Sequence, residues 1–173
     1  KNDFRVNYSN IERLDKQIGK LIRELKEDNL YENTIIFFFS DHGGPFPRYK
    51  RSIYDTGIRC PLIIKWINKE DNSRNKQLIS FVDFAPTMLD ISGIKSSNTM
   101  EGIPFFNKNF REYIFAATDR FDESVDQRRC VRTKKFKLIL NLDTSSSVGK
   151  ENNYRKQMKT MQVLDSLNDN NLI

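Results

Sequence analysis

Two adjacent polar residues that could do chemistry follow the most apolar run of the chain, residues 35–39. They are Asp41 and His42, and Gly43 and Gly44 come next. A carboxylate oxygen beside an imidazole nitrogen can bind a metal ion or act as an acid/base pair, and glycines let the backbone approach a ligand closely. Alternatively, Asp41 caps a turn and His42, the only histidine, is a hydrogen-bonded polar residue. The pair alone leaves both interpretations open.

A basic cluster follows a few positions later and consists of Arg48, Lys50 and Arg51. A fixed ammonium suits a transferring sulfuryl or phosphoryl group, because it stabilises the negative charge that grows on the leaving oxygen. Three basic residues in one loop are also typical of an ordinary solvated surface. The order of Asp41, His42 and Lys50 is therefore more informative than any of the three alone.

The elements that must position these residues begin with an amphipathic helix. Ser9 and Glu12 have the spacing of a capping box. Apolar residues then recur at helical spacing from Ile11 to Leu25. We therefore predict a helix that starts at Ser9 and ends near Asn29.

Two strands are predicted next, at residues 34–39 and 60–66, because both segments are apolar on both faces. A helix that leads into a doubly buried strand predicts an α/β sheet sandwiched by helices. In such sheets ligands bind beyond the carboxyl ends of the strands. Asp41 and His42 lie at such an end.

The second half of the chain begins with a predicted helix that Asp83 caps, with Pro86 in its first turn and Gly93 just past its end. The remaining predicted elements are an irregular stretch at 95–109, strands at 113–118 and 129–142 (the latter turning at Lys134 and Lys135), a loop at 145–147 and a helix at 154–167.

Composition excludes several classes of protein. The 173 residues suffice for one domain of ordinary size, and no apolar run approaches the ~20 residues of a membrane helix. The net charge of +6 is scattered rather than gathered in a stripe. Such a balance fits an anionic substrate or nucleic acid but is more typical of a solvated surface, and we expect no nucleic-acid partner. Cys60 and Cys130 are too few for a disulfide framework or a four-thiolate zinc site, and each is expected to pack as a small apolar residue.

The order of motifs resembles the type I sulfatases of the alkaline phosphatase superfamily. Residues 34–43, followed by the pattern Lys-x-x-x-Tyr-Asp-x-Gly-x-Arg-x-Pro from Lys50 to Pro61, resemble the second signature of that family. The Asp-His-Gly element alone also occurs in phosphodiesterases of the superfamily, and the lysine element is more specific. Further similarity, strongest to the heparan N-sulfatase-like branch, extends over roughly residues 8–165 and includes 8–19, 83–93, 117–123 and 131–139.

The resemblance implies a fold and an activity. The fold is an α/β three-layer sandwich of the alkaline phosphatase-like type, with the C-terminal half of its core at residues 1–110 and an incomplete, smaller antiparallel β subdomain at 111–173. The activity is hydrolysis of sulfate esters or sulfamates, on sulfated carbohydrates or aryl sulfates, by a metal-assisted formylglycine mechanism. Periplasmic, secreted or lysosomal sites are common in the family, but the sequence does not decide the compartment.

The resemblance also implies roles for individual residues. Asp41 and His42 would be two ligands of one divalent cation, usually calcium. Lys50 would bind a sulfate oxygen and stabilise the leaving group. Asp55 and Arg59 match structural positions and would form an internal ion pair. The residues that would face the sugar are Arg120, Asp122 and Glu123, for which ordinary surface charge is the alternative.

Two departures from the family pattern matter. The formylglycine motif, Cys or Ser followed by x-Pro-x-Arg, does not occur in the chain. We therefore expect the motif upstream, in a longer enzyme of which this chain is the C-terminal part, and we expect these residues alone to be inactive. Many members have Asn where His42 stands, and an imidazole leaves zinc or manganese open beside calcium.

Two other functions stay open. One is a phosphodiesterase or phosphomonoesterase of the same superfamily, with a Ser or Thr nucleophile and two zinc or manganese ions, although a single histidine counts against it. The other is a noncatalytic module that binds anionic sugars through its basic surface.

Overall fold

The computed structural model describes residues 2–67, 73–106, 110–144 and 152–172. They form two compact units that do not follow the order of the chain. The first unit comprises Lys1–Asn72, Arg120–Asp126 and Ser146–Ile173, and the second comprises Ser73–Asp119 and Gln127–Ser145. The expected division into a sulfatase-like core at residues 1–110 and a smaller subdomain at 111–173 stays a prediction.

The first unit opens with a long helix, α1, at Asn2–Glu27. Its start contradicts the predicted cap at Ser9, because the helix runs through Ser9 without a break. The first turn is held by distant partners: the Phe4 ring stacks on Phe46 with centroids 4.2 Å apart, and the Asp3 carboxylate accepts hydrogen bonds from Thr160. The predicted end is confirmed, since Asn29 has a left-handed φ of 58°.

Two short strands follow, β1 at Ile36–Phe39 and β2 at Leu62–Lys65. They pair antiparallel, with Phe39 opposite Leu62. The prediction that both strands are buried on both faces is wrong for the described residues, because Phe39 is 43% and Ile63 is 63% exposed. A one-turn helix that the sequence analysis missed, α2 at Asp55–Ile58, lies between them.

The C-terminal part of the first unit contains two helices, α4 at Asn153–Lys156 and α5 at Lys159–Asp169. The prediction of one continuous helix at 154–167 is therefore wrong. Asp3 explains the break, because its carboxylate accepts from both the amide and the hydroxyl of Thr160 and so caps the first turn of α5. The predicted loop at 145–147 lies outside the described residues.

The second unit contains helix α3 at Phe84–Ile91. The predicted start and stop are confirmed: Pro86 lies in the first turn, and Gly93 has a φ of 70° just past the end. Asp83 occupies the capping position, but its side chain makes no cap to α3. It binds the Ser80 amide instead and closes the short 3-10 turn at Phe81–Asp83.

Between α3 and α4 the chain forms a three-stranded sheet in the order β3-β4-β5, with strands at Tyr113–Phe121, Ser124–Thr133 and Lys137–Asn141. Strands β4 and β5 pair antiparallel, with Cys130 opposite Ile139. The predicted turn at Lys134 and Lys135 is confirmed and closes by a 2.8 Å hydrogen bond from Thr133 N–H to the Phe136 carbonyl. None of the helices described here is long and apolar enough to cross a membrane.

Candidate active site

Asp41 and His42 lie immediately beyond the carboxyl end of β1, as predicted from the sequence. The Asp41 side chain is 81% exposed and its Oδ2 lies 3.5 Å from Nε2 of His42, whose side chain is 38% exposed. The other imidazole nitrogen, Nδ1, lies 2.8 Å from the Gly43 carbonyl oxygen. A proton on Nδ1 would therefore leave the Nε2 lone pair facing the same side as the carboxylate.

Backbone hydrogen bonds join this strand end to the loop that carries the predicted catalytic lysine. The Gly43 N–H donates to the Gly57 carbonyl at 2.9 Å, and the Lys50 N–H donates to the Gly44 carbonyl at 3.0 Å. A Cβ atom at Gly43 would overlap the Thr56 backbone, so only glycine allows this approach. The Lys50 amide is thus bonded to Gly44, which follows His42 by two positions in the chain.

The Lys50 ammonium lies over an aromatic ring that the sequence analysis did not identify. Its Nζ is 5.9 Å from the centroid of Tyr154, and the guanidinium carbon of Arg51 is 4.8 Å from the same centroid. Two neighbouring cations therefore share one ring, which stabilises each of them by a cation–π interaction.

Asp122, expected at the sugar, is bonded to protein groups on both oxygens. Its Oδ1 accepts a 2.6 Å hydrogen bond from Arg51 Nε, and its Oδ2 accepts a 3.0 Å hydrogen bond from Asn152 Nδ2. Asn152 is buried, and its own Oδ1 accepts from the Arg155 amide at the start of α4. These contacts connect the turn between β3 and β4, the loop that carries Lys50, and α4 within the first unit.

The other two residues expected at the sugar also have protein partners. Glu123 Oε1 accepts a 2.7 Å hydrogen bond from the Asn153 amide, and this bond holds the pKa of its carboxyl below the usual range. The Arg120 guanidinium donates to the carbonyls of Asp122 and Glu123. A role of Arg120, Asp122 or Glu123 towards substrate stays a prediction.

Cys60 follows the pattern expected of a packing residue. Its half-buried Sγ lies 4.0 Å from the Gly57 carbonyl. Burial raises the pKa of the thiol, and the negative charge of Asp41 raises it further. A thiol held protonated in this way is a poor nucleophile. The other thiol, at Cys130, is buried.

Arg59 and Asp55, expected to form an ion pair, are joined through the backbone of α2. The Arg59 N–H donates to the Asp55 carbonyl at 2.8 Å. The ion pair itself stays a prediction.

The donor atoms of Asp41 and His42 fit a divalent cation as part of its coordination shell. Two ligands about 2.4 Å from a calcium ion and at right angles to each other would be about 3.4 Å apart, which matches the 3.5 Å between Oδ2 and Nε2. Among the described residues no group of three or more His, Cys, Asp or Glu side chains is arranged to hold a metal. The described chain therefore offers two ligands rather than a whole site.

Comparison with known proteins places these motifs in one family. The family model called Sulfatase matches residues 2–94, which is more than half of the chain. An ulvan-active sulfatase of Formosa agariphila is 47% identical over 168 residues, covering 95% of this chain and 28% of that protein. The N-acetylglucosamine-6-sulfatase of Bos taurus is 34% identical over 110 residues, covering 60% of this chain and 20% of that protein. The chain thus spans about a quarter of the length of these relatives.

Two solved structures resemble the chain in fold. One, solved in complex with its substrate D-glucosamine-2-N,6-O-disulfate, has a TM-score of 0.63 at 23% identity and covers 92% of this chain and 39% of its own. The other, a phosphonate monoester hydrolase from Silicibacter pomeroyi, has a TM-score of 0.55 at 20% identity, covering 91% of this chain and 38% of its own. These likenesses confirm the predicted fold class.

Proposed function

The chain belongs to the sulfatase family, and from this premise we propose that it forms part of a hydrolase of sulfate esters or sulfamates on sulfated sugars. The observation that carries the proposal is the pair of backbone hydrogen bonds that joins residues 43 and 44 to the loop of Lys50. These bonds hold the main chain at Lys50 next to the segment that follows Asp41 and His42, which supports a shared site for the three residues. Relatives named for ulvan and for N-acetylglucosamine 6-sulfate support a carbohydrate substrate.

In the proposed mechanism, Lys50 binds the sulfate group and stabilises the leaving group. Its ammonium donates a hydrogen bond to the bridging oxygen or nitrogen, where negative charge grows as the bond to sulfur breaks. Asp41 and His42 would hold one divalent cation, which would supply a positive charge that polarises the sulfate oxygens. An imidazole ligand permits zinc or manganese as well as calcium, and we propose calcium on the family resemblance.

The nucleophile in this proposal is a formylglycine. The 173 residues contain no Cys or Ser followed by x-Pro-x-Arg, so we place it in a part of the protein outside this sequence. The contribution of the chain is then half of the cation site and the lysine.

Sulfate release by the intact protein, measured by ion chromatography on sulfated saccharides, tests the proposal. Replacing Lys50 by Ala is expected to lower kcat by about 10²–10³-fold, the usual cost of one transition-state donor. The matched control is Arg48→Asn, which removes a neighbouring cation. Its Asn tolerates the left-handed φ of 64° found there. Absence of sulfate release, or an unchanged rate in Lys50→Ala, would contradict the proposal.

The likeness to a phosphonate monoester hydrolase favours a second candidate, a phosphodiesterase or phosphomonoesterase. That enzyme would hold two zinc or manganese ions and prefer phosphate esters. Metal analysis of the intact protein distinguishes the candidates, because sulfatase activity predicts one cation per chain. A noncatalytic sugar-binding module would bind sulfated polysaccharide in a salt-sensitive way without releasing sulfate from it.

A further inference from the structure

We propose that Asp122 is a positioning residue for Lys50, acting through Arg51 and Tyr154 rather than by touching the substrate. The inference rests on the proposed role of Lys50 and adds four residues to it, Asp122, Arg51, Asn152 and Tyr154. All of them lie in the first unit of the chain.

The pair formed by Arg51 and Asp122 is held in a demanding backbone geometry. The 2.6 Å bond joins Nε to Oδ1 across 71 positions of sequence. Arg51 and Asp122 have φ angles of 66° and 54°, in the left-handed region, which is uncommon for arginine and less so for aspartate. Conformations of this kind persist where the surroundings over-determine them. The pair therefore fixes the backbone next to Lys50.

Asn152 links the Arg51–Asp122 pair to the helix that carries the Tyr154 ring. Only 2% of the residue is exposed, and its amide group bridges Asp122 Oδ2 and the Arg155 N–H at distances of 3.0 and 2.7 Å. The second of these bonds caps α4, whose second residue is Tyr154. The carboxylate of Asp122 is thus linked through Asn152 to the helix that carries Tyr154.

The ring in turn places both cations. The Arg51 and Lys50 head groups lie 4.8 and 5.9 Å from its centroid. Asp122 compensates the charge of Arg51 through their ion pair. A bound sulfate would then be attracted chiefly by the ammonium of Lys50. Two contacts position that lysine: its amide donates to the Gly44 carbonyl, and its ammonium lies over the Tyr154 ring.

The kinetic test uses Asp122→Asn in the intact protein, with two aryl sulfates of different leaving-group strength. If Asp122 acts through Lys50, kcat/KM should fall about ten- to hundred-fold, and the loss should be greater on phenyl sulfate than on 4-nitrophenyl sulfate, whose leaving group needs less stabilisation. In a Lys50→Ala background the same substitution should have no further effect, since the two residues act as one unit. Equal losses on both substrates, or additive effects in the double variant, would overturn the proposal.

The matched control is Asp119→Asn, which breaks another Arg–Asp pair of 2.6 Å near the end of β3. It is expected to leave kcat/KM and the substrate ratio unchanged. If Asp122→Asn does not fold, Tyr154→Leu removes the ring and keeps α4. The same change in substrate ratio is then expected, and an unchanged ratio would overturn the proposal.

A readout without turnover separates this inference from the proposed function. Reductive ¹³C-methylation of the lysines, with Lys50 assigned by Lys50→Arg, reports the ring-current shift from Tyr154. The shift should be lost in Asp122→Asn and in Tyr154→Leu and kept in Asp119→Asn. If the protein releases no sulfate, the proposed function fails while this shift still decides whether Asp122 positions Lys50. Retention of the shift in Asp122→Asn would refute the positioning role.

Discussion

The guanidinium of Arg111 donates hydrogen bonds to both oxygens of the buried carboxylate of Asp83. Arg111 Nη2 lies 2.5 Å from Oδ1, and Nε lies 2.9 Å from Oδ2. Asp83 also accepts from the amides of Ser80 and Ile103 at 2.8 Å. Only 2% of Asp83 is exposed. One carboxylate therefore joins the start of α3, the segment after it and Arg111 within the second unit.

Replacing Asp83 by Asn should destabilise the protein strongly. The change leaves the Arg111 guanidinium partly buried without its charge partner, which costs about 3–5 kcal/mol in comparable pairs. Urea denaturation followed by circular dichroism measures the loss. The control is Asp90→Asn on the exposed face of α3, expected within about 0.5 kcal/mol of wild type. Similar losses in both variants would contradict the importance of the Asp83–Arg111 pair.

The same pair should make stability depend on acid pH. Burial alone would raise the pKa of Asp83, but the hydrogen bonds from Arg111, Ile103 and Ser80 together lower it below its usual range. Its stabilising effect is thus complete at neutral pH and is lost as the pH falls through the ordinary range of Asp, about 4, towards the lower native value. The stability difference between wild type and Asp83→Asn should therefore shrink between pH 7 and pH 3. A difference that is constant or grows on acidification would disprove this sign.

Gly57→Ala tests the close packing of α2 against the loop that carries Lys50. A Cβ atom at Gly57 would overlap the carbonyls of Ser52 and Tyr49, so we expect a loss of about 1–3 kcal/mol, as in overpacked sites. The control is Gly19→Ala in α1, where a Cβ meets only the flexible Arg23 side chain at 3.7 Å. That change should stabilise the helix by about 0.5–1 kcal/mol. Thermal melts of both variants measure these opposite signs, and a shared sign would show that the packing at Gly57 is not the cause.

Asp41→Ala tests the proposed cation site independently of turnover. Removing one of two adjacent ligands should lower the bound calcium of the intact protein to well below one per chain, as measured by plasma emission spectrometry after dialysis. Asp90→Asn serves again as the control for loss of a surface carboxylate. Full calcium occupancy in Asp41→Ala would exclude this carboxylate as a ligand.

Much of the fold follows from local sequence patterns. Strands β1 and β2, helix α3 with Pro86 and Gly93, and the hairpin at Lys134 and Lys135 all lie where periodicity and turn residues predict them. These features depend on residues close together in the chain, so a single sequence contains the information that specifies them.

The errors come from contacts between distant residues. The start of α1 depends on Phe46 and Thr160, and the break between α4 and α5 depends on Asp3. The capping box at Ser9 was a sound local pattern that these contacts overrode. The exposure of Phe39 and Ile63 was missed because an apolar strand sequence does not reveal whether the chain contains the layer that would cover it.

The candidate site divides in the same way. Asp41, His42 and Lys50 lie within ten residues of one another, so their motif can be identified from the sequence alone. The partners of that loop, Asp122 and Tyr154, are 71 or more positions away. No spacing rule connects them to Arg51, so the sequence does not predict these contacts.

The glycine-to-loop hydrogen bonds have a practical consequence for engineering. Because Gly43 and Gly44 bond to the loop through main-chain N–H and carbonyl groups, the exposed side chain of Pro45 takes no part in those two bonds. Mutational libraries that vary this loop can therefore randomise position 45, whereas position 48, with its left-handed φ of 64°, should be restricted to Gly, Asn and Asp.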